Sequence, residues 1–265
     1  MATISVAKTH YTLQAGTSLS FVNETGFRLQ TIDHGDVPSL TIAGELRVSS
    51  QPGGDPQELA AVRVGYSSFY EHSLIQITRG GAIRVDTTAT NHSSVGIYSG
   101  SWTPQIVNDG VIEVTSRLAA TGVVNWGFLD ETAAAVMNTG VIRVTAAGEA
   151  RGIGMAAGSY LHNTGTVEVV GGELAVGVSF SQWDSTFRNS GEIRAHSSDP
   201  NAPSIAVWFG SNVKGSFINS GLLQGDIALK VESPFEDDPI GDAIFQNTGR
   251  MIGDVDMGVG GQALV

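Results

Sequence analysis

The sequence predicts an all-β chain wound into a right-handed parallel β-helix (β-solenoid) of about eight coils of roughly 28 residues. Three observations carry that expectation. A short phrase recurs, as Asn108-Asp109-Gly110-Val111-Ile112, Asn138-Thr139-Gly140-Val141-Ile142, Asn163-Thr164-Gly165-Thr166-Val167 and Asn189-Ser190-Gly191-Glu192-Ile193. Looser copies follow at Asn219-Ser220-Gly221 and Asn247-Thr248-Gly249, and the six Asn anchors lie 30, 25, 26, 30 and 28 residues apart. Apolar residues flank each anchor with period two, as in half-buried strands. Finally, 34 glycines in 265 residues punctuate the chain, so short strands are separated by tight turns with no helical stretch between them.

Taken in order, residues 1–38 read as an N-terminal cap segment with weak strand alternation. Within it, Phe21-Val22-Asn23-Glu24-Thr25-Gly26 imitates the repeat out of phase. Residues 39–265 read as the β-helix proper, whose first in-phase copy is Leu40-Thr41-Ile42-Ala43-Gly44-Glu45-Leu46, with Ile42 at the Asn position. A Pro/Gly-rich loop near 50–58 interrupts it. The next copy is Ile77-Thr78-Arg79-Gly80-Gly81-Ala82-Ile83. Aligned on the glycine, Leu46, Ile83, Ile112, Ile142, Val167, Ile193, Leu223 and Met251 form one apolar column. Leu40, Ile77, Ile106, Val136, Leu161, Phe187, Phe217 and Phe245 form another. A third strand runs before each anchor, as in Gly96-Ile97-Tyr98 and Ile205-Ala206-Val207-Trp208. One coil cannot bury its own apolar face, so coils must stack, each strand pairing in parallel with its counterpart. The last coil shows no cap, and an open end exposes core and strand edges. A continuation of the chain or a covering partner is therefore expected there.

Two polar columns follow from the same alignment. Asn108, Asn138, Asn163, Asn189, Asn219 and Asn247 are expected to form a ladder of side-chain amides at a left-handed turn, with the glycine supplying positive φ. Arg47, Arg84, Glu113, Arg143, Glu168, Arg194 and Gln224 occupy a solvent-facing column whose signs alternate from Arg84 to Arg194. There each carboxylate is expected between two guanidinium groups, worth ~0.2–1 kcal/mol per contact.

Composition narrows the partners. The formal charge of -12 disfavours nucleic acid, whose affinity comes from cations neutralising phosphates. No apolar run is long enough for membrane insertion, and no N-terminal signal peptide is visible. The absence of cysteine removes disulfides and thiolate metal sites. No catalytic residue stands out. Glu113 and Glu168 lie two coils apart, near the upper span of an inverting glycosidase pair, but flanking arginines favour their ionised forms. Asp33-His34-Gly35-Asp36 is the only compact His/Asp group. Calcium has one weak set of candidate ligands, Glu236, Asp237, Asp238 and Asp242, in an acidic loop. Tyr98, Trp102, Trp126, Trp183 and Trp208 gather around the third strand and its loop. Facing outward they would offer a platform for sugar rings, whereas packed together they would seal that edge.

The N-[TSD]-G-x-[IVL]-x-V units resemble those of β-helical repeat regions in large secreted or surface bacterial proteins, including autotransporter-type adhesins, over about residues 40–253. The segment from Asn247 to Gly258 is similar to the lead-in of RTX-type calcium-binding proteins, although Gly258-Val259-Gly260-Gly261-Gln262 lacks the aspartates of their nonapeptide. The resemblance implies a non-catalytic extracellular or cell-surface rod, structural or adhesive, exported without an N-terminal signal and meeting glycans or cell-surface components. The alternative is a carbohydrate-active β-helix, a lyase, glycosidase or glycan binder, using the aromatic-lined face.

Overall fold

The computed structural model describes residues 3–6, 10–29, 38–52, 58–65, 73–100, 105–126, 136–155, 159–181, 185–210, 215–232 and 244–258. Among these every regular element is a β-strand, and every strand pairing is parallel. The chain is thus a parallel β-solenoid. Each coil contributes an anchor strand, a second strand after the turn, and a third strand after a corner. Anchor strands such as Gln105–Asn108, Tyr160–Asn163 and Ile244–Asn247 build one nine-stranded sheet. Second strands such as Val111–Ser116 and third strands such as Ala120–Asn125 build a second sheet of 17 strands. Nine rungs at about 4.8 Å make a rod roughly 40 Å long.

Period-two alternation is borne out along the anchor and second strands. Val111–Ser116 alternates half-buried and buried residues, and Ile112, Ile142, Val167, Ile193 and Leu223 stack in register at the centre. The other apolar column is equally buried but differs at one place. Ile75, and not Ile77, pairs with Ile106, while Ile77 pairs with Asn108. The turn Thr78–Gly81 is two residues longer than Asp109–Gly110, which shifts the alignment by one full period and keeps the faces correct.

Residues 10–29 supply strands that join the same sheets, His10–Leu13 pairing with Ser39–Ile42 and Ser18–Val22 with Glu45–Ser49. Phe21 therefore lies in the second-strand column over Val48, and the likeness of Asn23-Glu24-Thr25-Gly26 to an anchor is coincidental. Part of the loop insertion, 53–57, lies outside the described residues.

The third strand breaks period two. Gly122 and Val123 are consecutive and both buried, as are Gly96 and Ile97. A Cβ on Gly122 would stand 2.6 Å from the Gly152 carbonyl oxygen and 2.6 Å from the Ile142 side chain. Gly96, Gly152 and Gly177 meet the same obstruction. A column of Gly and Ala is therefore required where the third strand bends over the second. Near the C-terminal end the corner closes up. Leu222–Val231 runs as one strand through a register shift between Gln224 and Ile227, where other coils have a corner and two strands.

The core changes character along the axis. The middle coils are aliphatic, whereas Phe180, Phe187, Phe209, Phe217 and Phe245 form a contiguous buried stack in the later ones. Phe180 and Phe209 lie parallel with centroids 4.7 Å apart, and Phe187 and Phe217 are 5.1 Å apart.

Candidate functional site

The Asn column forms an unbroken ladder. The side-chain amide of Asn108 donates to the Asn138 Oδ1, Asn138 to Asn163, Asn163 to Asn189, Asn189 to Asn219 and Asn219 to Asn247, each at 2.7 Å. From Asn108 to Asn219 these residues are buried, so the strip faces inward and offers nothing to a ligand. The expected left-handed turn is absent. No anchor Asn and none of Gly110, Gly140, Gly165, Gly191, Gly221 and Gly249 has positive φ. The glycines are needed for close stacking: a Cβ on Gly165 would lie 2.1 Å from the Gly140 carbonyl oxygen, and one on Gly221 2.0 Å from that of Gly191. Backbone bonds between coils hold the turn, because the N–H groups of Thr139 and Gly140 both donate to the Asn108 carbonyl oxygen, at 2.8 and 2.9 Å.

The charged column is in register, with Glu113 opposite Arg84 and Arg143, and Glu168 opposite Arg143 and Arg194. Its contacts are pairwise where a continuous ladder was expected. Arg84 pairs with Glu113, Arg143 with Glu168 at 3.3 Å, and Arg194 turns back along its own strand to Glu192. These long side chains are about half exposed, and within the column each of these glutamates pairs with one arginine, while Arg84 also reaches Glu45 outside it. Glu45 bonds both Arg47, at 2.9 Å, and Arg84, at 2.8 Å. Burial pushes the Glu45 carboxyl up, but the hydrogen bonds and charges of the two arginines outweigh it and hold its pKa below the usual carboxylate value.

The third-strand face carries a concave polar and aromatic surface. Its groove of about 600 Å³ is lined by Tyr98, Trp126, Arg151 and Trp208, with Glu58 and Glu232 at its margins. Of the five aromatics expected to gather there, Tyr98, Trp126 and Trp208 line this groove; Trp102 and Trp183 lie outside the described residues. Their surroundings differ. The Arg63 guanidinium lies 4.6 Å from the Tyr98 ring centre. Trp208 has Arg151 at 5.4 Å and Lys230 at 5.3 Å, and its buried Nε1–H finds no partner among the described residues. Trp126 is 50% exposed and carries no such cation among the described residues. Every cation here is itself matched: Arg63 with Glu58 at 2.6 Å, Arg151 with Glu149, and Lys230 with Glu232 at 2.5 Å. Sequence reasoning found the rings but missed Arg63, Arg151 and Lys230. Their positions beneath the rings depend on the register of third strands in different coils.

The calcium candidates Glu236, Asp237, Asp238 and Asp242, and the group Asp33-His34-Gly35-Asp36, lie outside the described residues. Among the described residues no three His, Asp or Glu side chains come close enough to hold a metal ion. Asp226, in the glycine-aspartate segment near the end, is occupied structurally. It accepts from the Ser204 N–H at 3.0 Å and the Ser204 hydroxyl at 2.7 Å, while its own N–H donates to that hydroxyl at 2.9 Å.

Fold and surface together define a parallel β-solenoid with an aromatic groove along its third-strand face. The chain matches no family model, and neither a curated protein nor a solved structure is significantly similar to it.

Proposed function

We propose that this solenoid is a non-catalytic rod, a structural or adhesive segment of a larger secreted or surface protein, working outside the cell. The observation that carries the reading is how the polar side chains are used. The amides that recur coil after coil are consumed by the ladder, and the carboxylates of Glu58 and Glu232 that line the groove, like that of Glu149 beside Arg151, are each held against a cation. Glycoside cleavage by a carboxyl pair needs one carboxyl protonated and both aimed at a common bond. Side chains locked in ion pairs around a groove serve shape and rigidity better than proton transfer. A rod whose rungs interlock by backbone, amide and charge suits the mechanical role of holding a surface away from its base.

The test is to incubate the chain with a panel of neutral and acidic polysaccharides and follow new reducing ends and unsaturated products. No release above the buffer control is expected. Turnover that disappears on replacing Glu58, Glu149 or Glu232 by Gln would overturn the proposal.

A further inference from the structure

The outward column of the third strands changes size abruptly from coil to coil. It reads Arg63, Tyr98, Val124, Gly154, Ser179, Trp208, Lys230 in consecutive rungs. Three small residues thus make a floor between two ring-bearing coils. Tyr98 and Trp208 stand four rungs apart, a trough of about 19 Å along the rod. Trp126, directly after the floor strand Ala120–Asn125, lines it with an exposed ring, and Arg151 borders it.

We infer that this trough binds a neutral oligosaccharide laid along the rod axis, with a sugar face stacked on Trp126. The inference rests on the adhesive form of the function proposed above. Its shape, long and open with walls at both ends, fits a short stretch of polymer. Its chemistry fits linked sugar rings, which combine an apolar face for an aromatic ring with hydroxyl edges for polar margins such as Arg151, Ser181, Glu58 and Glu232. Charge decides between neutral and acidic sugars. Arg63, Arg151 and Lys230 are each matched by a glutamate, and the chain carries -12 overall, so among the described lining residues no spare cation compensates a carboxylate or sulfate. An extended peptide fits less well. The floor is the face of a sheet whose backbone groups are already paired on both sides, leaving no edge to which a strand could add. Trp208 closes one end and leaves stacking to Trp126, because two cations already occupy its surroundings.

Titration of the full chain with the neutral sugars cellohexaose, laminarihexaose, mannohexaose and xylohexaose, and with hexagalacturonate as the acidic comparison, followed by calorimetry and tryptophan fluorescence, tests the inference. Saturable binding of at least one is expected, with a fluorescence change that Trp126→Ala removes while weakening binding about tenfold. Gly154→Leu supplies a variant that blocks the floor without disturbing the fold. A Cβ there meets only the Ser179 Oγ at 3.8 Å and the Val123 carbonyl oxygen at 4.0 Å. It should abolish binding and leave the melting temperature unchanged, whereas Arg188→Ala, exposed on the anchor sheet, should leave affinity unchanged. Failure of all four neutral sugars, insensitivity to Gly154→Leu, or preference for hexagalacturonate would overturn the inference and leave the non-catalytic rod standing. Cleavage of a bound hexasaccharide would overturn the rod reading and leave the trough.

Discussion

The first three coils and the last six solve the same corner differently. At the anchor position stand Leu13, Ile42 and Ile77 in the first group and Asn108, Asn138, Asn163, Asn189, Asn219 and Asn247 in the second, all in one register. The aliphatic corner gains from burial alone, which is non-directional and tolerates turns of several lengths. Leu13 and Ile77 are followed by longer turns closed by Gly16 and Gly80 at φ of 75° and 90°, with Thr17 N–H donating to the Gln14 carbonyl and Gly81 N–H to that of Thr78. The amide corner cannot vary in this way. Each Asn must reach the next at hydrogen-bonding distance, so every turn from Asn108 onward has the same form, with Gly as its second residue. Directional bonds enforce uniformity where burial permits variety.

The sharpest way to break this contrast is through the glycines. Gly165→Val should be the most damaging change, at least ~4 kcal/mol, because its Cβ would lie 2.1 Å from a carbonyl oxygen of the coil below. Gly80→Ala, with nothing within 4 Å of its Cβ, should cost only ~1–2 kcal/mol from its left-handed backbone. Chemical denaturation of both variants checks the order, and equal losses would mean that stacking is not what the glycine column protects.

Next come the anchors themselves. Asn163→Leu removes one ladder donor and one acceptor and strands buried groups on Asn138 and Asn189, a loss of about 2–4 kcal/mol. Asn108→Leu, at the end of the ladder, breaks one amide–amide bond and the longer bond from the Gly110 N–H to the Asn108 Oδ1 at 3.2 Å, and should cost less, about 1–3 kcal/mol. Equilibrium unfolding that ranks them the other way would show that the ladder does not act as a chain of shared bonds.

Much of this was legible in the sequence. Period two around each anchor gave the strands, and the repeat length gave the stacking, because side-chain alternation is a local property that burial imposes on every coil. The Asn column was visible for the same reason. The reason for its glycines was not: positive φ is the usual explanation, and only the coil below shows the carbonyl that excludes a Cβ. The shift that moves Ile77 into the ladder position also needed the three-dimensional pairing, since the longer turn after it preserves apolar alternation in either alignment.

Smaller effects sharpen the contrast at the surface. Arg143→Ala should lower stability by less than ~1 kcal/mol, with the difference fading at high salt, because the Arg143 and Glu168 side chains are about half exposed. Thermal melts at low and high ionic strength measure it. The smallest effect concerns Glu45 on the aliphatic-cornered side. Its folded pKa is depressed, so its stabilisation is present above the unfolded carboxyl pKa and lost as pH falls through the folded value. Glu45→Gln should therefore flatten the acid limb of the stability profile and also lower stability at neutral pH.

By itself the sequence determined the class of fold, the repeat and the buried columns, because these follow from alternation and from the need of each coil to bury its face against the next. The tertiary structure alone decided which atoms meet between coils. The amide ladder closes at 2.7 Å, the charged column separates into pairs, and Arg151 comes to lie beside Trp208 from a rung two coils away. Such contacts join residues 25 to 57 positions apart, and their geometry is set by register and side-chain reach, which no local pattern encodes.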